Sequence, residues 1–210
     1  MPQDRFAPGW LTARPIAHRG LHSLAAGIVE NTLGAFAAAM AAGYAIECDL
    51  QITRDGEAVL FHDDTLDRVA EASGEVKAHS LAELQRMALR LSSERIPTLA
   101  ELLTLVDGRV PLVIELKPQW DGDPRLAARA VELLSSYAGP HSLMSFDPDV
   151  IHAVRRLSPG TVRGVISDDA LHPYYESIPT ATRRELLTLS YLSRVEPNFM
   201  SLDFNTLPWA

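Results

Sequence analysis

Two short apolar runs carry charge where a strand would ordinarily carry none. In Ile46-Glu47-Cys48-Asp49-Leu50, the two-residue period of a strand puts Glu47 and Asp49 on one face and Ile46, Cys48 and Leu50 on the other. At a rise of ~3.3 Å per residue the two carboxylates stand about 7 Å apart, and they repel unless a cation lies between them. In Ile114-Glu115-Leu116-Lys117 the same alternation groups Glu115 with Lys117, opposite Ile114 and Leu116. Charge in mid-sheet is costly unless it is paired or metal-bound. Two arrangements meet that demand. Glu115 can enter a buried salt bridge with Lys117 or Arg19, or Glu47, Asp49 and Glu115 can converge into a hard, oxygen-rich site for Mg²⁺ or Ca²⁺. His18 and His62 each end an apolar run, where loops begin. A histidine pair beside a cation site is an acid/base couple, since each ring titrates near neutral pH. Arg19 adjoins His18, and a guanidinium suits a phosphodiester. Taken together, these residues point to phosphate chemistry.

Those groups can meet only if the ends of several strands share one rim. The sequence offers seven strands: Arg14–Ala17, Ala45–Thr53, Ala58–Phe61, Leu112–Leu116, Ser142–Phe146, Val162–Ile166 and Phe199–Phe204. Helix-like segments alternate with them, as in an α/β protein with a largely parallel sheet. After Asn31 or Thr32 as a cap, Leu33, Phe36, Ala37, Met40 and Ala41 form one helical stripe that Gly43 stops. Capping boxes at Ser80–Glu83 and Thr98–Glu101 start two further helices, the second running through Val106. Asp123-Pro124 and Asp147-Pro148 open two more, the second reaching Leu157, and Thr182–Leu192 is helical. The segment around 63–95 is polar and irregular, an insertion in what is otherwise one domain spanning residues 1–210. Arg54-Asp55-Gly56-Glu57 is a tight turn, too short for a parallel crossover. The second or third strand is therefore expected to run antiparallel or sit askew. A (β/α)8 barrel needs eight strands and about 250 residues. The pattern predicts such a barrel without its last β/α unit.

Composition excludes several classes. The chain has 210 residues, 47% hydrophobic and 22% charged, with a formal charge of −8. These are globular proportions, and a net-acidic chain is a poor partner for nucleic acid or anionic membrane. No run approaches 18 strongly apolar residues, so no stable membrane insertion is expected. Cys48 is the only cysteine, and the stretch around Asp4 and Arg5 has no apolar secretory core, so a cytoplasmic setting is expected. The sequence leaves the oligomeric state open.

One ordered set of motifs goes further. His18-Arg19-Gly20, Glu30-Asn31-Thr32, Glu47-Cys-Asp49, Asp55-Gly56, His62-Asp63, Ile96-Pro97-Thr98-Leu99 and Glu115-Leu-Lys117, in that order, resemble the glycerophosphodiester phosphodiesterase family. The resemblance runs from about Arg14 to Asp147. It implies a distorted TIM barrel that hydrolyses glycerophosphodiesters, such as glycerophosphocholine or glycerophosphoethanolamine, to glycerol 3-phosphate and an alcohol. By motif it implies Glu47, Asp49 and Glu115 as ligands of one divalent cation, Mg²⁺ or Ca²⁺. It further implies His18 and His62 as catalytic acid and base, and Arg19 and Lys117 as substrate-binding cations. Glu30 matches a family position for which loop shaping is an equal explanation. The family pattern continues to an eighth strand that this sequence does not match.

Other residues have simpler explanations. Asp123 and Asp147 read as helix caps, Cys48 as core, and His22, His79, His141, His152 and His172 as surface groups in loops or helices. Asp63 and Asp64 can orient His62 or cap its loop. Asp203, Trp10, Trp120 and Tyr174-Tyr175 are candidates for substrate contact or for packing. The rival functions are a related lysophospholipase of C or D type and an inactive barrel that only binds.

Overall fold

A computed structural model describes residues 6–168, 170, 175 and 178–206. Its backbone is a curled sheet of seven strands, β1 (Ile16–Ala17), β2 (Ala45–Ile52), β3 (Ala58–Leu60), β4 (Leu112–Leu116), β5 (His141–Ser145), β6 (Val162–Ser167) and β7 (Phe199–Leu202). The neighbours β1-β2-β4-β5-β6-β7 are all parallel. Helices α1 (Leu33–Ala41), α2 (Leu81–Leu84), α3 (Leu99–Val106), α4 (Arg125–Leu134), α5 (Pro148–Leu157), α6 (Thr180–Thr188) and α7 (Leu192–Val195) fill the connections.

The helix starts follow their capping chemistry. Thr32 caps α1 by accepting the Ala35 N–H, and Thr98 and Ser80 each form a reciprocal capping box with the glutamate three residues on. Asp147 caps α5 by accepting the Asp149 N–H at 2.8 Å. Asp123 accepts the Arg125 N–H at 2.9 Å and pairs with its guanidinium, just outside α4. The segment expected as one helix over Thr182–Leu192 is instead α6 and α7, broken at Leu189, whose φ of +52° no helix accepts.

β3 is the antiparallel strand. Gly56, at φ +87°, and the Thr53–Glu57 hydrogen bonds close a hairpin that folds β3 back along β2, with Leu50 opposite Leu60. β4 occupies the other edge of β2, so β1 and β3 share one edge, β1 at its start and β3 at its end.

The alternation in β2 and β4 divides the sheet into two faces. Ile46, Cys48, Leu50, Ile114 and Leu116 pack beneath α1, α3 and α4 in the main core with Phe36, Leu99, Leu102 and Leu126. The opposite face lines the interior and carries Glu47, Asp49, Gln51 and Glu115, all buried. The 63–95 segment has apolar anchors of its own, Leu66, Ala70, Val76, Leu84 and Leu89, packed with Val59 and Phe61. Among the described residues, no helix is long and apolar enough to cross a membrane.

Candidate active site

The three strand carboxylates meet. Asp49 and Glu115 are register partners on β2 and β4, and Glu47 lies two residues before Asp49 on the same face. One ligand oxygen from each lies within 4.8 Å of the others. Each carboxylate is held by its neighbours. Glu47 Oε2 accepts the Arg19 backbone N–H at 2.8 Å. Asp49 Oδ2 accepts Asn31 Nδ2 at 2.8 Å, and Asn31 Oδ1 accepts the Asp49 N–H. Lys117 Nζ is 2.8 Å from Glu115 Oε1 and 3.6 Å from Asp49 Oδ1. The salt bridge and the carboxylate cluster are therefore parts of one arrangement.

Burial shapes the charge states. Desolvation, then repulsion from Asp49, holds the Glu47 carboxyl well above the usual range. Desolvation also raises Glu115, with Lys117 partly offsetting it. Burial alone would lower the Lys117 ammonium, but Glu115 and Asp49 outweigh it and the net shift is upward. Asp49 Oδ1 is buried without a hydrogen bond, with Lys117 Nζ 3.6 Å away, and Glu115 Oε1 is held by Lys117 alone, so both oxygens keep unused lone pairs. An all-oxygen donor set with such lone pairs fits a hard divalent cation, and it offers nothing to a thiophilic one.

The loop after β1 supplies His18 and Arg19. Gly20, at φ +77°, turns this loop onto α1, where an added Cβ would stand 2.8 Å from that of Ala35. The glycine of His-Arg-Gly is thus required by sterics. His18 Nε2 lies 4.0 Å from Glu47 Oε2 on a largely exposed ring. Arg19 extends over the cluster, with Nε 3.6 Å from Asp49 Oδ2 and Nη1 2.8 Å from Glu30 Oε1.

The β3 hairpin brings His62 to the same place. Because β3 runs back down β2, the Phe61 N–H reaches the Asp49 carbonyl at 3.0 Å, and His62 follows at the level of the carboxylates. Its Nδ1 lies 2.7 Å from Asp63 Oδ1. Asp63 is held down at about 2; burial opposes this, but the hydrogen bonds from Arg68 and His62 prevail. An ionised carboxylate only accepts, so this bond calls for the proton on Nδ1. Desolvation lowers both rings, assisted at His18 by Arg19 and at His62 by Lys117. A cavity of about 350 Å³ adjoins His62 and Lys117 and is walled by Pro118, Phe146 and Tyr175.

The site also contains residues that sequence reasoning passed over. Buried Gln51 donates to the carbonyls of His62 and Asp63 and to Asp64 Oδ1, and it accepts from Gln119. Its signal was its place two residues after Asp49, on the same face. Arg68 had no signal, since it lies in the irregular segment. Of the residues with simpler explanations, Cys48 is core as expected. His141 begins β5 and His152 bonds the Arg194 carbonyl, so both are half-buried and not free surface groups. Trp120 and Tyr175 stack edge-on at 6.4 Å between centroids. Asp203 is exposed after β7, and His172 and Tyr174 lie outside the described residues.

Comparison with known proteins identifies the family. The sequence profile of the glycerophosphoryl diester phosphodiesterase family matches residues 18–195. A glycerophosphodiester phosphodiesterase of Caldanaerobacter subterraneus subsp. tengcongensis is 30% identical over 188 residues, covering 78% of this chain and 76% of that protein. One from Bacillus altitudinis is 30% identical over 177 residues, covering 78% and 71%. In structure, a phosphodiesterase from Oleispira antarctica, solved with the product sn-glycerol-3-phosphate, superposes with a TM-score of 0.72 at 27% identity. That match covers 90% of this chain and 74% of the other. Sequence and fold lead to one assignment: the chain belongs to the glycerophosphoryl diester phosphodiesterase family of enzymes, on a distorted TIM barrel.

Proposed function

We propose that this chain hydrolyses glycerophosphodiesters, such as glycerophosphocholine and glycerophosphoethanolamine, to glycerol 3-phosphate and an alcohol. The observation that carries the reading is the buried Glu47–Asp49–Glu115 cluster with His18 and His62 beside it. Family membership supports the reaction, and the all-oxygen donor set supports one divalent cation, Mg²⁺ or Ca²⁺. A cation held by Glu47, Asp49 and Glu115 would supply positive charge to the phosphoryl oxygens.

The chain's own groups then divide the remaining work. Arg19 and Lys117 face the same cluster and neutralise the phosphodiester, most strongly in its charge-rich transition state. One histidine takes the proton of the nucleophile, a water or the glycerol 2-hydroxyl, and the other protonates the leaving oxygen. Attack by the 2-hydroxyl passes through a cyclic phosphate that water then opens. Gln51 and Asp63 hold the His62 loop in register with the cluster. In this reading residues 1–210 act as one domain in the cytoplasm, with the 63–95 segment as an insertion that buttresses His62.

The test is release of glycerol 3-phosphate from glycerophosphocholine and glycerophosphoethanolamine, with Mg²⁺ or Ca²⁺ and then with a chelator, and with lysophosphatidylcholine as the competing substrate. Turnover that the chelator abolishes, and that favours the water-soluble diesters, is expected. Chelator-insensitive turnover, or preference for the lysolipid, would overturn the reading.

A further inference from the structure

We propose that Arg68 is a positioning residue for the acid–base chemistry: a clamp that locks the His62 ring and ties it to the loop carrying His18 and Arg19. The proposal rests on the role given to His62 above.

Arg68 makes two forks with one guanidinium. Its Nε donates to Asp63 Oδ2 at 2.6 Å and its Nη2 to Asp63 Oδ1 at 2.9 Å. Nη1 donates to Glu30 Oε2 at 2.9 Å, and Nη2 donates also to Glu30 Oε1 at 2.7 Å. Glu30 Oε1 accepts Arg19 Nη1 as well, and Asp63 Oδ1 accepts His62 Nδ1. An unbroken chain of charge-assisted hydrogen bonds thus runs from His62 through Asp63, Arg68 and Glu30 to Arg19. It joins the two histidine-bearing loops without any contact between the histidines themselves.

Both carboxylates of this chain are held ionised. Burial works against Glu30, yet the bonds from Arg68 and Arg19 bring it to about 2, matching Asp63. A carboxylate fixed in place and unable to donate leaves the imidazole one tautomer and one orientation. Without Arg68, the Asp63 carboxylate would have only the imidazole and solvent for partners, and both groups could rotate. Exposed ion pairs are usually worth little, but bidentate geometry within a network is the exception. Only a planar guanidinium has enough N–H groups, rigidly splayed, to fork onto two carboxylates; an ammonium at the same place is a single point charge. That difference separates positioning from simple charge balance.

The test uses the full chain with Arg68→Gln, Arg68→Lys, Asp63→Asn and the Arg68→Gln/Asp63→Asn double variant. The Arg68 side chain is half-exposed, so removing its head leaves no core cavity and melting should hold. For both Arg68 variants kcat should fall on the order of 10-fold to 10²-fold, the scale of a misplaced reacting group, while KM stays near the parent value. The double variant should be no slower than Asp63→Asn alone, because the two residues act as one unit. Imidazole ¹⁵N spectra, with His62 assigned by its loss in His62→Asn, should show a pure Nδ1–H tautomer in the parent and a mixture in Arg68→Gln. Parental kcat with an unchanged tautomer in Arg68→Gln would overturn the proposal. So would full recovery by Arg68→Lys, or additive losses in the double variant. If the parent turns over no diester, the function reading fails, and the tautomer spectra alone decide the clamp.

Discussion

Asp147 permits a prediction with a defined size. It caps α5 from a nearly fully buried position, and desolvation pushes its carboxyl up to about 6 despite the Asp149 and Val150 N–H groups that favour its charge. In an unfolded chain an aspartate titrates near 3.9. The folded value is the higher one, so folding favours the protonated form. The resulting stability is fully present below about pH 4 and is lost as pH rises through about 6. With two-state titration between these values, on the order of 1 kcal/mol of it remains at pH 5 and almost none at pH 7.5. Asp147→Asn keeps the oxygen that accepts the Asp149 N–H and cannot ionise, and asparagine caps about as well as aspartate. Urea unfolding of both proteins at pH 5 and pH 7.5 isolates this group, because every other titration cancels in the difference. The variant should gain on the order of 1 kcal/mol relative to the parent across that interval, equivalent to roughly 2–4 °C for a domain of this size. A stability difference independent of pH would refute the argument, showing that water reaches Asp147 or that the cap is charged at no cost.

Three further outcomes follow from the site and its scaffold. His18→Ala and His62→Ala should each lower glycerol 3-phosphate release by about 10²-fold to 10⁴-fold with melting unchanged; parental rates in either would remove that ring from the mechanism. Added Mg²⁺ or Ca²⁺ should raise the melting temperature, by the equivalent of about 2.7 kcal/mol at a hundredfold excess over Kd. Glu115→Gln should abolish that rise, and its persistence would place the cation elsewhere. Thr98→Ala removes the hydroxyl that accepts the Glu101 N–H, while the backbone N–H of residue 98 keeps its bond to the Glu101 carboxylate, and it should cost about 1 kcal/mol in urea unfolding, with kcat unaltered; no loss would mean that the remaining bond and the packing of Leu99 and Leu102 set the start of that helix.

Much of this protein is local information. The period-two runs around Glu47 and Glu115 determine which side chains enter the core and which face the interior, because a strand cannot put neighbours on one side. Caps at Thr32, Ser80, Thr98 and Asp147 determine where helices start, because their side chains satisfy N–H groups within three residues. The residues of the candidate site stood out for the same reason: Glu47 and Asp49 are charges inside one readable strand, Glu115 and Lys117 lie at the end of another, and His18 and His62 follow two more. The α6–α7 break was not legible, since nothing about leucine announces a positive φ at Leu189.

What the sequence could not decide is anything that depends on distant segments meeting. The tight turn at 54–57 excluded a parallel crossover, but only the folded sheet shows that β3 is the strand that reverses and so returns His62 to the level of Asp49. Arg68, in a segment without periodicity, meets Glu30 across 38 residues of chain, and Asn31 meets Asp49 across 18. Such partners are selected by where the backbone carries them, and no local spacing records it. Hydrogen bonds and ion pairs act over about 3 Å of space whatever their separation in sequence. The candidate groups were therefore written in residue types and strand patterns, while their geometry, with the Arg68 bonds to Asp63 and Glu30, exists only in the fold.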